Sequence, residues 1–138
     1  MIVTEQLSFN TEGNGDIIDI TGQVTFKVDG SGVKSGSVNL FVPGSTASLT
    51  TVEYEPGLVA DLAELWQRMA PQDTTYQHDK RWGDGNGHAH VRASLLGASL
   101  VVPFTAGRLV LGTWQQIVLV DFDNRPRSRQ VVVQIMGE

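Results

Sequence analysis

The sequence predicts an α+β fold. Three observations predict it: most of the chain reads as short strands, helical apolar spacing is confined to a few segments, and the two kinds do not alternate regularly as in a βαβ protein. The 138 residues fit one domain, 1–138, built on one sizeable core.

Ile2–Asn10 alternates, setting Ile2, Thr4, Gln6 and Ser8 against Val3, Glu5, Leu7 and Phe9, and reads as a strand. TEGNGD is a turn by its Gly and Asn content, and Asp16–Ile20 is a short strand. Thr21–Asp29 stays open: Thr21 suits a helix cap, whereas Val24, Phe26 and Val28 alternate as in a strand. Gly36–Pro43 is a strand with Val38, Leu40 and Val42 on one face, and Ser48–Glu53 is another. Pro56–Met69 is the clearest helix. Pro56 suits its first position, and Leu58, Leu62, Leu65, Trp66 and Met69 form one apolar stripe. Gln72–Gly87 is polar and aperiodic, the kind of long segment that carries function in compact domains. Strands return with Ser99–Pro103, a TAGR turn, Leu109–Leu111 and Gln115–Phe122. The run Ile117-Val118-Leu119-Val120 predicts a strand covered on both faces. DNRPR then turns the chain into the last strand, Ser128–Met136.

Composition narrows the function. Ten basic against fifteen acidic residues leave no basic excess to displace counterions, which argues against a nucleic-acid binder. Arg125, Arg127 and Arg129 still form a local patch suited to one phosphate. Without cysteine there is no disulfide, no thiolate nucleophile and no thiolate zinc site, which fits a cytoplasmic protein. MIVTEQLSFNTEGNG lacks the basic and apolar regions of a signal peptide, and no apolar run nears the roughly 20 residues of a membrane span. A small phosphorylated molecule is the expected partner, with neither nucleic acid nor membrane.

Two of the three histidines fall in DGNGHAHVRASLLG, Asp84–Gly97. In a strand, His88 and His90 would share a face and reach one ion. In a helix they stand about 200° apart. Asn86 as N-cap, Gly97 as the C′ residue and the spacing of Ala89, Ala93 and Leu96 favour the helix. The free N–H groups of its first turn would receive an anion and favour neutral imidazole. His78 adds a third imidazole, and His78, His88 and a carboxylate such as Glu53 would be zinc-type ligands. Pro43-Gly44-Ser45-Thr46-Ala47 offers amides and hydroxyls to a phosphate. Glu53 and Glu55 suit a base, a ligand or a complement to the helix dipole. Gly112-Thr113-Trp114-Gln115 reads as a tight turn with a packed Trp, and Ser94, without a His–Asp arrangement, as a capping or packing residue.

The stretches DGNGHAHVRASLLGASLVVP, GRLVLGTWQQIVLVDFD and RPRSRQVVVQIMGE resemble, in order, the YjbQ-like family, often called secondary thiamine-phosphate synthase enzymes. FVPGSTASLTTVEYEPGLVADL resembles its earlier segment, so the likeness covers most of the chain. The resemblance implies a homotrimer, bound divalent metal with zinc first, and a weak capacity to join the pyrimidine and thiazole phosphate halves of thiamine phosphate. Many members carry His-Thr where this chain has Gly44-Ser45, so nitrogen ligands here fall to the remaining histidines or to a neighbouring subunit. On this reading His78 and His88 bind metal, and His90 and Glu53 do acid–base work. Ser45, Thr46, Asn86, Gly87 and Arg129 hold substrate phosphate. The alternatives are a metal- or small-ligand-binding oligomer without a thiamine role, and a purely structural oligomer.

Overall fold

The computed structural model describes residues 1–138. Eight strands and four helices follow in the order β1 (Ile2–Thr11), β2 (Asp16–Asp19), α1 (Thr21–Ser31), β3 (Gly36–Phe41), β4 (Ala47–Val52), α2 (Pro56–Met69), α3 (Gln77–Trp82), α4 (Gly87–Leu96), β5 (Ser99–Thr105), β6 (Arg108–Leu109), β7 (Gln116–Asp121) and β8 (Arg127–Gly137). One sheet has the order β1-β8-β3-β5-β6 and the other β2-β7-β4. All pairings are antiparallel. The fold is α+β.

Alternation decides which side chains meet. Val38 and Leu40 of β3, Val102 and Phe104 of β5, and Val131, Val133 and Ile135 of β8 point to one face. There they pack with Leu49 of β4, Ile117 and Leu119 of β7, and Val24 and Val28 of α1. The opposite face of the small sheet presents Ile17, Val118 and Val120, which pack with Phe122, with Trp66 of α2 and with Ala89 and Ala93 of α4. Trp66 meets Phe122 edge to face, with centroids 5.1 Å apart. The molecule is therefore layered as large sheet, small sheet, then α2 with α4, while α1 contributes to the core between the sheets. β7 lies in the middle, which is why its apolar run does not alternate.

Several elements differ from the sequence reading. Thr21–Ser31 is a helix, because Val24 and Val28, four apart, are the buried pair, while Phe26 is exposed. A short helix, α3, occupies the middle of the polar Gln72–Gly87 segment; it buries none of its residues and so leaves no apolar stripe to read. β6 is only two residues long, closing a tight turn at Ala106-Gly107 in which both residues take positive φ. Trp114, expected to pack, is 70% exposed on the loop before β7. The outer face of the large sheet carries Ile2, Phe41 and Val101, all exposed, with Phe41 directly opposite Val132.

Candidate functional site

The polar residues collect where β7 ends, β8 begins and α4 starts. Asp121 and Asp123 leave the apolar run of β7 two residues apart, and Arg127 and Arg129 enter β8 two residues apart. Asp121, fully buried, accepts from Arg129 at both oxygens, Nε at 2.7 Å and Nη2 at 2.9 Å, and from the Thr11 hydroxyl at 2.6 Å. Burial alone would raise the Asp121 carboxyl; the bonds from Arg129 and Thr11 outweigh it and hold the group below its ordinary range. Asp123, 1% exposed, accepts from the Asn124 backbone N–H at 2.8 Å, Asn86 Nδ2 at 3.3 Å, Thr46 Oγ1 at 3.0 Å and Arg127 Nε at 2.9 Å. Burial again opposes ionisation, but these bonds pull its carboxyl down to about 2.

Beside this network lies a cavity of about 190 Å³ with no hydrophobic residue in its walls. Its walls are Asp84, Asn86, Asn124, Arg125 and Arg127. The same loop brings up the imidazoles. His78 of α3 and His90 of α4 are in tilted contact, with ring centroids 4.2 Å apart. His78 Nδ1 lies 3.4 Å from Asp79 Oδ1 and 3.5 Å from Asp84 Oδ1. Those three side chains bring one ligand atom each within 4.8 Å of one another. The edge of a tetrahedral zinc site is about 3.4 Å when ligand bonds are near 2.1 Å, so the donor set and spacing fit a divalent ion. Burial lowers the affinity of His90 for a proton, and the neighbouring His78 lowers it further.

The expected site residues are distributed unevenly. His90 stands with His78; His88 does not, because two residues of helix turn its ring to the other side of α4. There it is 1% exposed beside Arg92, and burial, then that guanidinium, lower its affinity for a proton. The side chains that bring ligand atoms together with His78 are Asp79 and Asp84, not His88, and His90 adds a neighbouring ring. Glu53 is corrected more fully. It follows Val52, which pairs with Gln116, whereas the site adjoins the Ala47–Asp121 end of the same ladder. Five residues of strand, roughly 17 Å, separate the two ends. Asn86 is the N-cap residue of α4, as expected, but its side chain makes no capping bond: Nδ2 donates to Asp123 and Oδ1 is buried without a partner. Gly87 cannot offer its N–H to a phosphate, since it donates to Asp79 Oδ1 at 2.8 Å. Arg129 gives Nε and Nη2 to Asp121 and Thr46 and does not line this cavity; Arg125 and Arg127 are the cations that do. Thr46 is buried in the Asp123 network, while Ser45 is exposed at a separate cavity of about 380 Å³ lined also by Ala93, Ser94 and Gly97.

Gly44 takes φ +148, and a Cβ there would lie 2.8 Å from Arg129 Nη1. The backbone and the guanidinium together favour glycine at this position. Sequence reasoning did not single out Asp79, Asp84 or Asp123. The readable signal was the Asp-Phe-Asp step at the end of a doubly buried strand, a place where charge survives only if paired.

The profile of the family described as UPF0047 protein YjbQ-like matches residues 5–138. The chain belongs to this family. The UPF0047 protein of Archaeoglobus fulgidus is 40% identical over 131 residues, covering 95% of this chain and 99% of that one. The UPF0047 protein YugU of Bacillus subtilis is 34% identical over 133 residues, covering 95% and 97%. The crystal structure of a YbjQ-like protein of unknown function from Sulfolobus solfataricus superposes with a TM-score of 0.94 at 36% identity, covering 100% of this chain and 99% of that one. A hypothetical protein from Aeropyrum pernix gives 0.91 at 33%, covering 99% of each. Membership of the YjbQ-like family and its strand-rich fold are thus established together. No helix of this YjbQ-like chain is long and apolar enough to cross a membrane.

Proposed function

We propose that this YjbQ-like protein binds a small phosphorylated molecule in the Asp84–Arg127 cleft, with acid–base work at His90. The observation that carries the reading is the cleft itself: a cavity lined only by polar and charged residues, two arginines among them, beside two imidazoles in tilted contact. About 190 Å³ suits a phosphate or diphosphate end, leaving an organic body outside. Thiamine-phosphate synthesis is the specific reaction proposed. There the thiazole nitrogen bonds to the pyrimidine methylene carbon as the carbon–oxygen bond to diphosphate breaks, and diphosphate leaves with the electron pair. Arg125 and Arg127 are suited to the leaving charge. That bond change itself moves no proton; His90, its proton affinity lowered by burial, is suited to take one from the pyrimidine amino group as diphosphate departs and to return it once the carbon–nitrogen bond has formed. A divalent ion, zinc first, fits His78, Asp79 and Asp84, and when bound would supply charge neutralisation to the phosphate oxygens.

The test mixes protein, pyrimidine diphosphate and thiazole phosphate and measures thiamine phosphate. Slow turnover is expected, falling roughly tenfold or more in His90→Gln and Arg127→Gln. No product in zinc- and magnesium-supplemented reactions would rule the synthase out. The second reading, a metal-binding module without a thiamine role, rests on the His78, Asp79 and Asp84 donor set. Elemental analysis expects metal bound to wild type and lost from His78→Ala; metal-free protein from zinc-replete cells would dismiss it.

A further inference from the structure

We propose that Asp123 is the positioning residue of the cleft: without reaching the ligand, its carboxylate holds the side chains that would. This rests on the phosphate-binding reading above. Asp123 does not line the cavity and is 1% exposed. Its Oδ1 accepts Asn86 Nδ2 at 3.3 Å and the Asn124 N–H at 2.8 Å. Its Oδ2 accepts Arg127 Nε at 2.9 Å and Thr46 Oγ1 at 3.0 Å, and Arg127 Nη2 stands 2.8 Å from it as an ion pair. Asn124 then passes the constraint on, because its Nδ2 donates to the Asp84 carbonyl at 2.9 Å. Four of the five lining residues therefore hang on one carboxylate directly or through one link, and Arg125 is the exception.

The lone pairs of Asp123 are filled by these partners, so it has no remaining capacity for a ligand. What it supplies is order. The Arg127 side chain is 34% exposed, and a free arginine at that exposure would sample many rotamers. Tying it through two nitrogens settles the rotamer during folding rather than during binding. Asp121 provides the internal comparison. It is equally buried and equally paired, but it holds Arg129, Thr11 and the Asp123 N–H, none of which lines the cavity.

The substitution Asp123→Asn separates three roles by sign. Its amide would set a donor against Arg127 or against Asn86 whichever way it turned. If Asp123 acts by position, binding of inorganic pyrophosphate weakens. If it acts only by charge, removing a negative group beside an arginine tightens binding. If it serves only stability, affinity stays put while the unfolding temperature falls. Isothermal titration with pyrophosphate, at a temperature where circular dichroism shows each protein folded, is expected to give a roughly tenfold rise in Kd for Asp123→Asn and a smaller one for Asp121→Asn, whose bonds reach the cleft only through Asp123 and Thr46. Unchanged or tighter binding by Asp123→Asn overturns the proposal. Should that variant not fold, the wild-type protein still decides. The Asn86 side-chain amide and the Arg127 Nε–H should give dispersed, slowly exchanging NMR resonances without any ligand, and averaged resonances overturn the proposal. Wild-type protein that binds no pyrophosphate would overturn the phosphate reading, and those resonances alone would then judge Asp123.

Discussion

Individual residues at this site are set by burial and then corrected by hydrogen bonds. Asp121 and Arg129 show the balance: two opposite charges taken out of water, joined through two bonds and closed off by Thr11 and Thr46. Removing one partner leaves the other charge buried and alone. Arg129→Met is therefore expected to cost about 3–5 kcal/mol by urea unfolding, where a surface arginine would cost well under about 1 kcal/mol. The histidines give the pH dependence. His88 and His90 both have folded proton affinities lowered from 6.5, so the unfolded chain takes up protons first as pH falls. Their contribution is complete above pH 6.5 and is lost below it. The urea midpoint should fall between pH 7.5 and pH 5, and His88→Gln should flatten that fall; an unchanged slope would remove His88 as its source. Asp123 acts in a lower window. Its contribution, about 2 kcal/mol, is present above pH 4 and lost as the pH drops toward its folded value of about 2. Residue types at the site were legible: imidazoles, hydroxyls and arginines stood out in the sequence. Their partners were not, because Arg129 meets Asp121 and Thr46, and only the fold brings Thr46 there from 83 residues away.

The elements divide into those that carry a periodic signal and those that do not. β3, β7 and β8 bury faces that their sequences announced; in α2 the expected Leu62, Leu65 and Trp66 do pack, but Val59 joins them and Met69 is exposed. Glu55 is a further case: anticipated beside the helix, it caps α2 by accepting from the Gly57 and Leu58 N–H groups. α3 was invisible because it buries nothing, yet it brings His78 to His90. What holds α3 in place is local: Asp79 accepts from the Gly87 N–H, and a Cβ on Gly87 would lie 2.6 Å from Tyr76 Cβ. Gly87→Ala ought to help a helix by propensity, since alanine is the better helix former. The contact with Tyr76 reverses the sign, and the variant should lose about 1–3 kcal/mol. Its His78 and His90 ring resonances should also move. A gain in stability would mean that α3 does not pack against α4 as described.

At the scale of the whole molecule, a chain of net charge −5 places two arginines at one small cavity. Anion binding there is a local effect opposed by the overall field, and added salt should screen both. The layering also leaves one face of the large sheet bare, with Ile2, Phe41 and Val101 exposed. A homotrimer that covers this face is the proposed assembly, and light scattering should give three times the chain mass of 15.0 kDa. Phe41→Glu and Val101→Glu together should shift it to one chain; a wild-type monomer on dilution would remove the assembly. The fold class followed from the sequence because alternation and buried runs are local properties. The site did not follow in full, because it is made where four separate elements end together. The central claim is that the cleft binds phosphate through Arg127. Titration of wild type and Arg127→Gln with pyrophosphate tests it most directly. Wild type should bind saturably, with a Kd at least about tenfold weaker in Arg127→Gln. Equal affinities, or no binding by folded wild-type protein, would contradict it.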